Sequence, residues 1–155
     1  MSESEQAPAS RADQFAPLDD EAAERWQRFG QSDQVWFPQY LGLSVEEVRL
    51  DYCRMRLTFR PELLQAGGVM HGGALAALLD SALVPAIGGP LADGSQFSTV
   101  DLHVQYLRPV RNEDVIAEGW VVRRGKRIVF GQSEARGADS GEVAATALLT
   151  YNVRP

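Results

Sequence analysis

The chain of 155 residues holds one cysteine (Cys53), one lysine (Lys126) and two histidines, His71 and His103. A single cysteine excludes an intrachain disulfide. With only two histidines beside it, a structural zinc site lacks ligands. Basic residues are the minority: 15 Lys and Arg stand against 21 Asp and Glu, a formal net charge of −6. An acidic chain lacks the electrostatic footprint of a general nucleic-acid binder. No apolar run approaches the roughly 20 residues that a membrane-crossing helix needs. The opening MSESEQAPAS has neither the basic start nor the apolar segment of a secretory signal. The expectation is a cytoplasmic protein with no nucleic-acid and no membrane partner.

What remains is an ordinary globular composition, 45% hydrophobic and 23% charged, of a size for one domain. Residues 1–16 are mostly Ser, Glu, Gln, Ala and Pro, which predicts a flexible N-terminal segment. Residues 17–155 then form the single domain. It begins with a helix in PLDDEAAERWQRFG, capped by Asp19 or Asp20 and stopped at Gly30. From Leu43 the period becomes two. A phase switch near Asp51–Tyr52 predicts two strands joined by a tight turn.

After the glycine-rich QAGGVMHGG comes Ala74 to Ile87, apolar on every face except for Asp80. As a helix it would be buried all round. Four strands follow. In the first, Val100, Leu102, Val104 and Tyr106 share one phase, and Thr99, Asp101, His103 and Gln105 the other. Turns at RRGK and GADSG separate the rest. This order predicts an α+β fold, an antiparallel sheet wrapped around one central buried helix.

Two features carry chemistry. Gly72 and Gly73, after His71, open the apolar helix, where backbone N–H groups and the helix dipole favour a carbonyl oxygen gaining negative charge. A glycine-requiring turn is the plainer reading. Asp80 is the second, since a carboxylate in an apolar interior needs a partner, a cleft or a proton. A purely structural carboxylate bound to a neighbour's donors is its alternative. Gly72 and Asp80 are eight positions apart, about 12 Å along one helix, too far to act on one atom. If they share a reaction centre, two chains must build it, which points to a symmetric dimer.

QAGGVMHGGALAALLDSAL followed by STVDLHVQYLRPV resembles the hotdog-fold acyl-CoA thioesterases of the phenylacetate-degradation type, within the hydroxybenzoyl-CoA thioesterase superfamily. The likeness covers roughly residues 40–153. It implies a hotdog fold, hydrolysis of an acyl-CoA to an acid and coenzyme A, and no cofactor besides the coenzyme A of the substrate. It also implies a homo-oligomer, a dimer at least and a tetramer as the larger option. By the same resemblance Gly73, with Gly72, polarises the thioester carbonyl, and Asp80 of the facing subunit is base or nucleophile. Thr99 helps to place water. His71 shapes the substrate loop. Gln65 stands where relatives usually have asparagine.

No G-x-S-x-G elbow is present, because GQSEA ends differently, and no P-loop, because GGVMHGG lacks the lysine. Cys53, mid-strand, reads as core. One basic cluster stands out: Arg123, Arg124, Lys126 and Arg127, on a turn. It suits the phosphates of coenzyme A, or is an ordinary solvated turn. Arg108 and Arg111 are weaker candidates. Trp36, Phe37 and Tyr40 line an acyl site or pack the core. Two rival functions remain at this point, a non-hydrolysing acyl-CoA binder and a hotdog hydratase or dehydratase.

Overall fold

The computed structural model describes residues 10–154. Helix α1 (Asp20–Gln27) starts where Asp19 accepts the Ala22 N–H at 2.9 Å, with Asp20 and Glu21 in the first turn. A short helix α2 (Phe37–Leu41) ends at Gly42, in the left-handed region at φ 82°. Strands β1 (Leu43–Arg49) and β2 (Tyr52–Leu57) form the expected hairpin. Asp51 turns it at φ 63°, a conformation that a short polar side chain tolerates.

Helix α3 (Gly72–Gly88) begins two residues earlier than the apolar pattern suggests, because the His71 side chain caps it. Strands β3 (Gln96–Tyr106), β4 (Val115–Arg124), β5 (Ile128–Gly137) and β6 (Val143–Arg154) follow. All six strands join one antiparallel sheet in the order β1-β2-β4-β5-β6-β3. The sheet wraps around α3, giving the hotdog fold. Cys53, Met55, Leu57, Leu79, Leu83 and Val129 are fully buried between helix and sheet. Burial pushes the Cys53 thiol pKa well up, consistent with an inert core residue.

Three expectations are corrected. First, α3 is not buried all round. Ala76, Ala77, Asp80 and Val84 stay half-exposed, forming a stripe along one face. Second, β3 carries a bulge. Thr99 pairs with Tyr151 and Asp101 with Thr150, which leaves Val100 as an extra residue. Thr99 therefore faces the helix together with Leu102 and Val104, and Val100 lies 62% exposed. Third, the flexible segment does not extend to Ala16. A 3₁₀ turn (Arg11–Gln14) lies on the sheet with Ala12 buried, while residues 1–9 of that segment lie outside the described residues. Ser10 Oγ, the Arg11 N–H and the Tyr52 hydroxyl all donate to Glu118 Oε1, at 3.3, 2.9 and 2.5 Å. Composition argued for disorder because it does not register that a buried carboxylate elsewhere needs donors.

Candidate active site

The loop before α3 is a tight reversal. The Gln65 N–H donates to Val69 O at 2.9 Å, and Gln65 Oε1 accepts the Gly67 N–H at 2.7 Å. The Gln65 amide nitrogen has no protein acceptor among the described residues. The His71 N–H donates to Leu63 O at 2.8 Å, which fastens the helix start to the chain before the loop.

His71 is the N-cap. Its Nδ1 accepts the Gly73 N–H at 2.8 Å, so the ring is the neutral tautomer carrying its proton on Nε2. This corrects the expectation for Gly73. Its amide is not free toward a ligand, because a capping side chain satisfies an orphan helix donor. Ala74 and Leu75 donate to His71 O. The Gly72 N–H is the donor of this first turn without a protein acceptor among the described residues. Tyr106 braces the spot. Its hydroxyl donates to Gly72 O at 2.8 Å, and a Cβ on residue 72 would lie 3.1 Å from its ring. A side chain here would make the Tyr106 ring yield by a few tenths of an ångström.

Asp80 lies on the half-exposed stripe of α3. Its Oδ1 accepts from Thr99 Oγ1 at 2.8 Å and from the Tyr151 hydroxyl at 2.5 Å. The Tyr151 hydroxyl also lies 2.9 Å from Asp80 O, so it is shared between side chain and backbone. Oδ2 has no protein partner among the described residues. Burial, and then the neighbouring Asp80 charge, push the Tyr151 pKa well up, so the phenol keeps its proton and donates it in a hydrogen bond to Asp80. One carboxylate oxygen is thus held and the other is left open.

Tyr151 was missed by the sequence reading. Its signal is its phase: in β6 it follows the inward series Ala145, Ala147 and Leu149, which places a hydroxyl inside an apolar layer.

The structure does not bring Gly72 and Asp80 of one chain together. They sit on one continuous helix, eight residues and about 12 Å apart. Gln65 makes no hydrogen bond to either of them.

The basic turn is divided. Arg124 points inward, with Nε and Nη2 on Asp51 Oδ1 at 3.0 and 2.5 Å and Nη2 on Ala86 O at 3.2 Å. It ties the turn to the β1–β2 hairpin and to α3, so it is not a free phosphate ligand. Arg123, Lys126 and Arg127 are exposed and meet no carboxylate among the described residues. Arg108 pairs with Glu142 at 2.7 Å, and Arg111 donates to Gly68 O at 3.2 Å. Trp36, Phe37 and Tyr40 are 55%, 61% and 66% exposed, which removes them from the core.

Comparison with known proteins matches residues 67–144 to the thioesterase superfamily, the span from the glycine-rich loop into β6. A Halobacterium salinarum protein provisionally named an esterase is 35% identical over 115 residues, covering 69% of this chain and 74% of that one. The medium/long-chain acyl-CoA thioesterase YigI of Escherichia coli is 26% identical over 132 residues, covering 76% of this chain and 84% of YigI. In three dimensions, the Escherichia coli PaaI protein of the phenylacetic acid degradation operon superposes with a TM-score of 0.77 at 17% identity, over 87% of this chain and 95% of PaaI.

Proposed function

The chain belongs to the thioesterase superfamily, and on that premise we propose that it hydrolyses acyl-CoA thioesters to a carboxylic acid and coenzyme A. The observation that carries the reading is Asp80, with Oδ1 held by two hydroxyls and Oδ2 unengaged on the open stripe of an apolar helix.

In this reading two copies of the chain face each other so that Asp80 of one lies by the helix start of the other. The Gly72 N–H and the positive end of the α3 dipole polarise the thioester carbonyl. Gly73 adds a second donor only if His71 swings off it. Oδ2 takes a proton from water as the water oxygen bonds to the carbonyl carbon. The tetrahedral intermediate collapses, the C–S bond breaks, and the coenzyme A thiolate leaves to take up a proton. Direct attack by Oδ2, giving a mixed anhydride, is the other course for the same atom. In a single turnover in heavy-oxygen water, label found in Asp80 establishes the anhydride route, since the general-base route puts the water oxygen only into the released acid. Thr99 and Tyr151 hold the carboxylate in place, and in this reading the Gln65 amide donates to the carbonyl or to water. Arg123, Lys126 and Arg127 take the phosphates of coenzyme A, as exposed forked or point cations do. This chemistry calls for no metal or redox group, and it suits a cytoplasmic enzyme.

The test is release of free thiol from an acyl-CoA panel by the wild type and two variants. Asp80→Asn should lower kcat on the order of a thousandfold with little change in KM. Gly72→Pro removes the free donor at a helix position that tolerates proline. Unfolded together and refolded, the two should recover about a quarter of wild-type activity, since half the dimers are mixed and each has one intact site. A mixture as inactive as its parents, with native circular dichroism, overturns the shared site. An enoyl-CoA consumed without thiol release would point to a hydratase.

A further inference from the structure

The stretch YLRPVR, from Tyr106 to Arg111, leaves β3 and runs alongside the glycine-rich loop in the opposite direction. It grips every second residue on the approach to α3. Arg111 Nη1 donates to Gly68 O at 3.2 Å, the Met70 N–H donates to Val110 O at 2.9 Å, and the Tyr106 hydroxyl donates to Gly72 O at 2.8 Å. The backbone beneath Tyr106 is itself held. Tyr106 pairs with Ala145 in β6, and the Leu107 and Arg108 N–H groups both donate to Ala144 O, at 2.8 and 3.2 Å.

Gly72 O and the Gly73 N–H belong to one peptide plane. Tyr106 holds the oxygen end of that plane, and His71 Nδ1, at 2.8 Å, holds the nitrogen end. On the other side of the Gly72 Cα, His71 O accepts the Ala74 N–H at 2.9 Å. Glycine has the widest backbone freedom of any residue, so an N–H on Gly72 would sweep a wide arc if its flanking peptides were loose. Both are pinned, and the Gly72 N–H between them keeps no protein acceptor among the described residues.

Resting on the thioesterase reading, we propose that Tyr106 is a positioning residue for the reaction: its hydroxyl fixes the Gly72–Gly73 peptide and so aims the Gly72 N–H at the thioester oxygen. It acts through the backbone and needs no contact with the substrate. Donors of this kind work because they point in advance at the place where charge develops. A donor that is free to turn therefore loses stabilisation of the transition state more than binding of the substrate.

Tyr106→Phe keeps the ring and removes the hydroxyl. With the acyl-CoA that the wild type hydrolyses best, kcat should fall about tenfold, a part of the roughly hundredfold or more lost with a whole oxyanion donor, and KM should stay within about twofold. The melting temperature and the mass by light scattering should stay those of the wild type, whereas a merely structural role for the hydroxyl would move them. An unchanged kcat, a loss carried by KM alone, or a loss that follows a fall in stability or mass overturns the proposal. If the wild type releases thiol from no acyl-CoA, the thioesterase reading fails by itself. Amide hydrogen exchange, read by nuclear magnetic resonance, then decides whether Tyr106 holds the peptide. In Tyr106→Phe the Gly73 N–H should exchange about tenfold faster while amides in the middle of β5 keep their rates. Unchanged exchange at Gly73 overturns the role.

Discussion

The two edges of the sheet are treated differently. At the β1 edge, α1 and α2 pack alongside, and the Gln27 side chain donates to Val45 O at 2.6 Å, occupying an edge carbonyl. Its outer surface is laced with charge, since Glu46 reaches both Arg54 and Arg56 at 2.8 and 2.5 Å. At the β3 edge, eleven residues run with little beside them. Val100 is exposed, and Asp101 and His103 find no ion-pair partner among the described residues. Proteins block, cover or pair long sheet edges, because open N–H and C=O groups recruit another strand. The first edge is covered. The second matches what a two-fold partner needs, and it borders the half-exposed stripe that carries Asp80. The catalytic proposal and the open edge therefore belong to one surface.

That contrast can be broken most strongly at the open edge. Val100→Asp puts a charge beside Asp101 on the strand that would meet its own copy. Light scattering should show the mass fall to that of a monomer on dilution. Thioesterase activity should fall with it by about a hundredfold, because a lone chain separates Gly72 from Asp80. A monomer with full activity would sever the link between edge and site.

A smaller effect sharpens the same side from within. Tyr151→Phe removes one of the two hydroxyls on Oδ1 and should cost about tenfold in kcat at unchanged KM. Adding Thr99→Val should carry the loss further, toward that of Asp80→Asn. A change in KM alone would mean that Tyr151 acts on substrate binding and does not position the carboxylate.

The smallest effect lies on the covered edge. Glu46→Gln should lower stability by about 1 kcal/mol in a denaturant titration and leave turnover within about twofold of wild type. A large loss of activity there would dissolve the division between the two edges.

Much of the fold was legible in the sequence, because period and punctuation carry it. The apolar run around Asp80 gave α3, and the phase switch at Asp51 gave the first hairpin. Asp80 itself was visible as the one charge in that run. Long-range pairing was less legible. Arg124 reads like its neighbours Arg123 and Arg127 until Asp51, 73 residues away, is seen to claim it. Gly73 reads as an open donor until the His71 ring folds back on it. Ser10 and Arg11 read as part of a loose tail until Glu118 draws them onto the sheet.

The extra residue in β3 has a consequence for how such chains can diverge. Val100 lends no side chain to the site, so exchanging it leaves the site's hydroxyl in place. Deleting it would do the same. With Leu102 and the residues after it held in register, the ladder would close into regular alternation, Thr99 still opposite Tyr151 on the Asp80 side and Phe97 still opposite Val153. In a lineage that inherits this strand, a codon lost at this one place therefore changes the edge that β3 presents and not the face that meets the helix. Removing the bulge reshapes only the outer rim of the sheet.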